Sequence, residues 1–145
     1  MATVPKVQSR QTLEQQRAQD AWDCADKAKQ QLGDAYDKYV NLAKSVPALI
    51  MNSGLMQVLA FLHEKSLDKR TGKPKPDDPH TWVGDQLRSA LHVRFADVPA
   101  DFDGCIGYLF KLEDPQVYQA ITAEAFAWLR WLRQMAAARK GGNGG

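Results

Sequence analysis

The stretch that decides the fold is DPQVYQAITAEAFAWLRWLRQMA, residues 114–136. Asp114 is a suitable N-cap, and Pro115 suits the first helical position because a proline there loses no hydrogen bond. At about 100° per residue, one side of the helix is apolar and carries Tyr118, Ile121, Ala125, Trp128, Leu129, Leu132 and Ala136. Arg130 and Gln134 fall on the opposite side. The pattern predicts a long last helix that buries one face.

A second long periodic segment lies near the start of the chain. Thr12 and Gln15 match a capping box, in which the threonine hydroxyl accepts from a backbone N–H and the glutamine side chain reaches back. Apolar residues then recur at steps of three and four: Ala18, Ala21, Ala25, Ala28, Leu32, Ala35, Tyr39, Leu42 and Val46. Because most of these side chains are small, another helix can approach closely. Gly33 interrupts the run, so the segment is either one long bent helix or two helices that meet near Gly33.

The middle of the chain predicts shorter helices. A residue before proline is pushed out of the helical region, so Ser45-Val46-Pro47 is predicted to end the first segment. The next helix starts near Pro47 or at Ser53-Gly54 and runs to about Leu67. The remaining predicted elements are a solvated proline-rich loop at 68–80, a helix at about 81–95 and a short helix at 102–110.

These segments predict an all-α fold, a compact bundle of about five to six helices with a long first and a long last helix. The 145 residues suit one domain, 1–145, with residues 1–11 and 141–145 predicted to be disordered. No segment shows the alternation of a strand.

Composition is that of an ordinary soluble protein, with 44% hydrophobic and 25% charged residues. The formal net charge of +2 does not by itself indicate a nucleic-acid-binding protein. No apolar run approaches the roughly 18 residues of a membrane span, and the N-terminus lacks the apolar core of a secretory signal. We therefore expect a cytoplasmic protein without a membrane partner, whose distant Cys24 and Cys105 are free thiols. The less favoured alternative is an exported protein in which the two form one disulfide.

The sequence contains no recognisable catalytic or metal-binding motif. The three histidines do not lie at metal-ligand spacings, and no strand precedes Ser53-Gly54 to make a nucleophile elbow. Asp77-Asp78 is a paired carboxylate, but such a pair in a loop is usually solvated. We therefore expect a protein that is not an enzyme and has no catalytic residue, metal or cofactor. A small helical enzyme that uses this loop is the least favoured alternative.

Two side chains near the predicted helix faces each have two interpretations. Trp131 lies about 110° from the centre of the last apolar face, so it either lies under a neighbouring loop or is an exposed anchor for another subunit. Arg17 lies at the edge of the alanine face. It is either a packed stem with a paired head or a rigidly held phosphate contact.

Three stretches, taken together, resemble a known family. They are TLEQQRA at 12–18, then KYVNLAK at 38–44 with Pro47, GLMQVLAFL at 54–62 and Lys65, and finally TAEA at 122–125 with WLR at 131–133. Their order and separation resemble the small α-helical subunit of type III-B CRISPR effector complexes, the Cmr family. Residues 68–114 lie outside this resemblance.

The resemblance implies a non-catalytic subunit. It also implies that several copies stack head-to-tail into an inner filament. This filament runs beside the backbone subunits that hold the CRISPR RNA, and the large subunit is a further partner. The pair of filaments accommodates the guide and its target RNA. A subunit that serves any guide reads the phosphate backbone rather than the bases. The basic residues at matched positions, which the resemblance implies as RNA contacts, are Arg17, Lys44, Lys65 and Arg133, and Trp131 is the candidate subunit contact. The alternative is a helical protein–protein adaptor that does not touch nucleic acid.

Overall fold

The computed structural model describes residues 11–140, and within that range the fold is all-α. Its helices are α1 Leu13–Leu32, α2 Tyr36–Ser53, α3 Leu55–Ser66, α4 Pro79–Arg94, α5 Phe102–Lys111 and α6 Pro115–Lys140. The only extended pairing among these residues is an isolated bridge between Leu67 and Pro74. The predicted long first and last helices are confirmed. The disorder predicted for the two ends falls on residues outside the described range, except for Gln11.

The two longest helices, α1 and α6, pack side by side and run parallel. Arg17 pairs with Glu124, and farther along both helices Asp26 pairs with Arg139. The predicted alanine face of α1 makes the close approach possible, because Ala21, Ala25 and Ala28 are fully buried. Larger side chains of α6 fill the space beside them. The largest of these is Trp128, which is 1% exposed and donates its Nε1–H to Asp20 Oδ2 at 2.7 Å.

Helix α2 joins both sides of the bundle. The Tyr36 hydroxyl donates to the carbonyl of Ala136 on α6 at 2.8 Å. The Tyr39 hydroxyl donates to Gln86 Oε1 on α4 at 2.6 Å, and the Gln86 amide donates to the carbonyl of Cys24 on α1. These bonds satisfy polar groups that the core would otherwise leave unpaired at a cost of about 1–3 kcal/mol each. Helix α5 lies apart from this centre and packs on α3 and α4.

The prediction that the first segment ends at Ser45-Val46-Pro47 is wrong. Helix α2 continues through Pro47 to Ser53. Its buried stripe of Ala43, Val46 and Ile50 extends on both sides of the proline, so packing outweighs the single backbone hydrogen bond that Pro47 cannot donate. The break comes instead at Gly54. The first segment is two helices and not one long bent helix, because α1 and α2 are joined by a 3-10 turn at Gly33–Ala35.

Gly54 separates α2 from α3, and its substitution should lower the stability of the fold. Its φ of 86° and ψ of 161° lie in a region that is essentially restricted to glycine. No atom would lie within 4 Å of an added Cβ, so the cost is one of backbone strain alone. We expect Gly54→Ala to lower the free energy of unfolding by about 1–3 kcal/mol.

Gly107→Ala is the matched control for this substitution. Gly107 lies within α5 and an added Cβ there also meets nothing within 4 Å. Alanine in a helix is favoured over glycine by about 0.5–1 kcal/mol, so this variant should be slightly more stable than wild type. Urea unfolding of both variants measures the difference. Equal effects on stability would contradict the assignment of strain to Gly54.

Candidate functional site

Arg17 makes a two-point ion pair inside the bundle. Its Nε donates to Glu124 Oε2 at 2.9 Å and its Nη2 donates to Glu124 Oε1 at 2.6 Å. The Glu124 side chain is 6% exposed and that of Arg17 is 20% exposed. The hydrogen bond to Glu124 raises the pKa of Arg17. Of the two interpretations of Arg17, the packed stem with a paired head is the arrangement present, and a phosphate contact by this side chain stays a prediction.

A second arginine approaches the same carboxylate. Arg94, at the end of α4, places its Nε 3.8 Å from Glu124 Oε1. This Nε is buried and has no hydrogen-bond partner among the described residues. Glu124, within α6, therefore holds the start of α1 and the end of α4 against α6 through two positive charges. No sequence pattern indicates this contact, because Arg17 and Glu124 lie 107 residues apart in the chain.

The segment between α3 and α4 begins with a closed turn at residues 67–74. The backbone N–H of Asp68 donates to the Lys73 carbonyl at 2.8 Å, and that of Gly72 donates to the Asp68 carbonyl at 2.7 Å. Asp68 Oδ1 also accepts from the backbone N–H groups of Arg70 and Thr71. Gly72 has a φ of 72°, which a tight turn of this kind requires. Local hydrogen bonds thus fix the path of the chain here.

This turn, together with the end of α3, carries a dense positive charge. The four side chains that we call the basic turn are all accessible to solvent at least in part: Lys65, Lys69, Arg70 and Lys73. None of them forms an ion pair with any residue in the described range 11–140. Asp68, the acidic residue inside the turn, directs its carboxylate to backbone N–H groups. Of the residues expected to contact RNA, only Lys65 belongs to this cluster.

The structure places Lys44 and Arg133 elsewhere, near a groove between α2 and α6. Arg133 is exposed and lines this groove, as do Pro47 and Met51 of α2. Lys44 is exposed and lies seven residues before Met51, which puts both on the same side of α2. The four expected RNA contacts therefore occupy three places, with Arg17 inside the bundle, Lys65 at the basic turn, and Lys44 and Arg133 beside the groove.

Trp131 is half-buried and packs against the core of the bundle. The neighbouring Trp128 is the fully buried tryptophan of α6. Part of the Trp131 ring stays accessible, so its proposed contact with another subunit stays a prediction.

Two groups with catalytic potential, Asp78 and Cys24, have structural partners or are largely buried, whereas Asp77 is exposed. Asp78 caps α4 by accepting from the backbone N–H of His80, and it pairs with Lys75 at 3.1 Å. Burial, and then the nearby Asp20, raise the pKa of the Cys24 thiol to about 12, so this cysteine is not a thiolate at neutral pH. Within residues 11–140, no three His, Cys, Asp or Glu side chains come together as metal ligands. No helix in that range is both long and apolar enough to cross a membrane.

Comparison with known proteins identifies the family. Residues 13–139 match the family model described as "CRISPR-associated protein (Cas_Cmr5)". The fold is similar to the crystal structure of a CRISPR-associated Cmr5 family protein from Thermus thermophilus, with a TM-score of 0.67 and 25% sequence identity over 88% of this chain and 96% of that one. None of the curated protein sequences compared with the chain is a match. The matched region spans all six helices, so the chain belongs to the Cmr5 family of CRISPR-associated proteins, the small subunits of type III-B Cmr complexes.

Proposed function

We propose that this chain is a non-catalytic subunit that stacks in several copies along the cytoplasmic Cmr complex and supports the guide RNA–target RNA duplex. The observation that carries the proposal is the family match, which extends over residues 13–139. The partners are further copies of the chain, the backbone and large subunits, the CRISPR RNA and the target RNA. The chain contributes shape, spacing and positive surface, and cleavage belongs to other subunits.

The basic turn is the surface that best fits contact with an RNA backbone. A protein that accommodates any guide must bind phosphates and cannot depend on base identity. Lys65, Lys69, Arg70 and Lys73 supply four accessible positive charges on a turn whose backbone is held by its own hydrogen bonds. Repetition of the turn in each stacked copy would give the modestly charged subunit a continuous basic strip.

The alternative is a helical adaptor that binds only protein. The ion pair of Arg17 with Glu124 favours it, because the most distinctive arginine of the family-matched sequence is already neutralised. The net charge of only +2 agrees with it as well. The basic turn argues against it, because four cations that pair with no acidic residue of the described range have no evident use in an adaptor.

Co-elution with and without RNA separates the two functions. The purified chain is mixed with backbone subunits of a Cmr complex, either loaded with guide RNA or free of RNA, and passed over a sizing column. We expect several copies to co-elute only with the RNA-loaded subunits, and the amount bound to fall as the salt concentration rises. Equal co-elution without RNA would support the adaptor, and no co-elution in either case would contradict both functions.

A further inference from the structure

The groove between α2 and α6 is lined by apolar and basic side chains. Its volume is about 560 Å³, and its apolar lining includes Met51, Phe126 and Ala127. Met51 is 78% exposed and adjoins the other apolar residues that line the groove. Arg130 and Arg133 also line the groove and are exposed, and none of the described residues that line it is acidic. The groove is therefore suited to an apolar side chain that is flanked by carboxylates.

The outer face of α5 carries an exposed apolar side chain with carboxylates near it. Phe110 is 70% exposed, and Asp103, seven residues earlier, lies on the same side of the helix. Glu113 and Asp114 follow shortly after α5, and both are exposed. We call these four residues the α5 ridge. Gly107 lies between Asp103 and Phe110 along the helix and places no side chain beside them.

The two surfaces lie on different parts of the same molecule. Helix α5 packs on α3 and α4, whereas the groove lies between α2 and α6. The two surfaces are complementary in charge, and a second copy can bring to each the complement that the other carries. One contact of this kind leaves a free ridge at one end and a free groove at the other, so it can repeat along a filament.

We propose that the α5 ridge of one copy inserts Phe110 into the α2/α6 groove of the next copy, with the ridge carboxylates facing Arg130 and Arg133. This inference rests on the stacking in the proposed function and names the surfaces that stack. It assigns Arg133 to the contact between copies in place of the phosphate contact that the resemblance implies. One aromatic side chain in one groove is a small interface, so the contact is weak between free copies and becomes effective on a scaffold that aligns them.

Cysteine cross-linking within the assembled complex tests this contact. Phe110→Cys and Met51→Cys are introduced together in a Cys24→Ser background, and the chain is assembled on RNA-loaded backbone subunits and oxidised. A non-reducing gel should show a ladder of linked copies. Each single cysteine variant alone should stay monomeric, and an equal mixture of the two single variants should stop at dimers. The matched control replaces Phe110→Cys by Gln31→Cys, an exposed position on α1, and should give no ladder.

The outcomes distinguish this inference from the proposed function. If the double cysteine variant co-elutes in several copies but gives no more cross-linking than the Gln31 control, the copies meet elsewhere and this inference is wrong while the stacking function stands. Dimers from Phe110→Cys alone would show two ridges facing each other and would also overturn it. If wild-type chain fails to co-elute with RNA-loaded subunits, the proposed function fails first. An Arg133→Glu variant should lower the amount of chain that co-elutes with RNA-loaded subunits about tenfold, and pairing it with Glu113→Arg should restore part of that loss.

Discussion

Replacement of Lys69, Arg70 and Lys73 by alanine in every copy should weaken binding of target RNA by the whole complex and make that binding less dependent on salt. Each lost phosphate contact lowers the log–log salt slope by about 0.7–0.9, so three contacts lower it by about 2–3 for every copy that touches RNA. The stability of the chain should not change, because the three side chains are accessible and form no ion pair with residues in the described range. Affinity titrations at several salt concentrations measure the slope.

A second triple variant with the same change in charge provides the control. Lys27, Lys38 and Lys111 are also exposed, lie on α1, α2 and α5, and do not belong to the basic turn. Their replacement by alanine lowers the net charge equally and should leave most of the salt slope intact. If the two triple variants lower the slope by the same amount, general charge and not the basic turn governs RNA binding. A basic-turn triple variant with an unchanged slope in an intact complex would favour the adaptor.

The helices of this fold could be predicted because their signals are local. The capping box of Thr12 and Gln15 is present, with each side chain bonded to the backbone of the other residue at 2.8 and 3.0 Å. The apolar face of the last helix is also confirmed, since Ile121, Ala125 and Trp128 are buried. These features depend on residues within one or two helical turns of each other, and such residues are close together in the sequence.

The error at Pro47 occurs where tertiary contacts decide the structure, and the detail of the loop at 68–80 depends on one side chain. Pro47 is a helix breaker by local rules, yet the apolar stripe around it keeps α2 helical because burial is worth more than one hydrogen bond. The loop at 68–80 has the proline and glycine content of an open loop, but Asp68 closes its first part by accepting from backbone N–H groups. The density of basic residues at 65–73 is visible in the sequence. Its presentation on a closed turn is not.

The sequence identifies candidate RNA contacts by their positions, but it does not show which side chains surround them in the fold. Lys65 is associated with RNA through the family resemblance, but the accessible cations that surround it lie outside the matched stretches and escape that reasoning. Arg17 lies beside the alanine face, as its position in the helix predicts. Its partner Glu124 lies in another matched stretch, TAEA at 122–125. The two stretches are therefore joined in space by an ion pair, which gives a structural reason for their shared appearance in the resemblance.

That ion pair should contribute strongly to stability. Glu124→Ala would leave Arg17 and Arg94 facing each other without the carboxylate between them, and we expect it to lower the free energy of unfolding by about 2–3 kcal/mol. Arg17→Ala should cost less, about 1–2 kcal/mol, because Arg94 remains near Glu124 and Arg17 is partly exposed. In the double variant the two losses should not add, and the coupling should be about 1 kcal/mol. Urea unfolding of the three variants and wild type measures it.

The same variants decide what Arg17 does in the complex. If Arg17 acts through Glu124, then Arg17→Ala lowers thermal stability and leaves the salt slope of RNA binding unchanged once assembly has been checked, because the guanidinium was already neutralised. Arg17→Lys should recover only part of the lost stability, since an ammonium cannot make the two-point contact with the carboxylate. A fully assembled Arg17→Ala complex whose salt slope falls by about 0.7–0.9 per copy would instead return Arg17 to the RNA surface, with Glu124 serving to orient it.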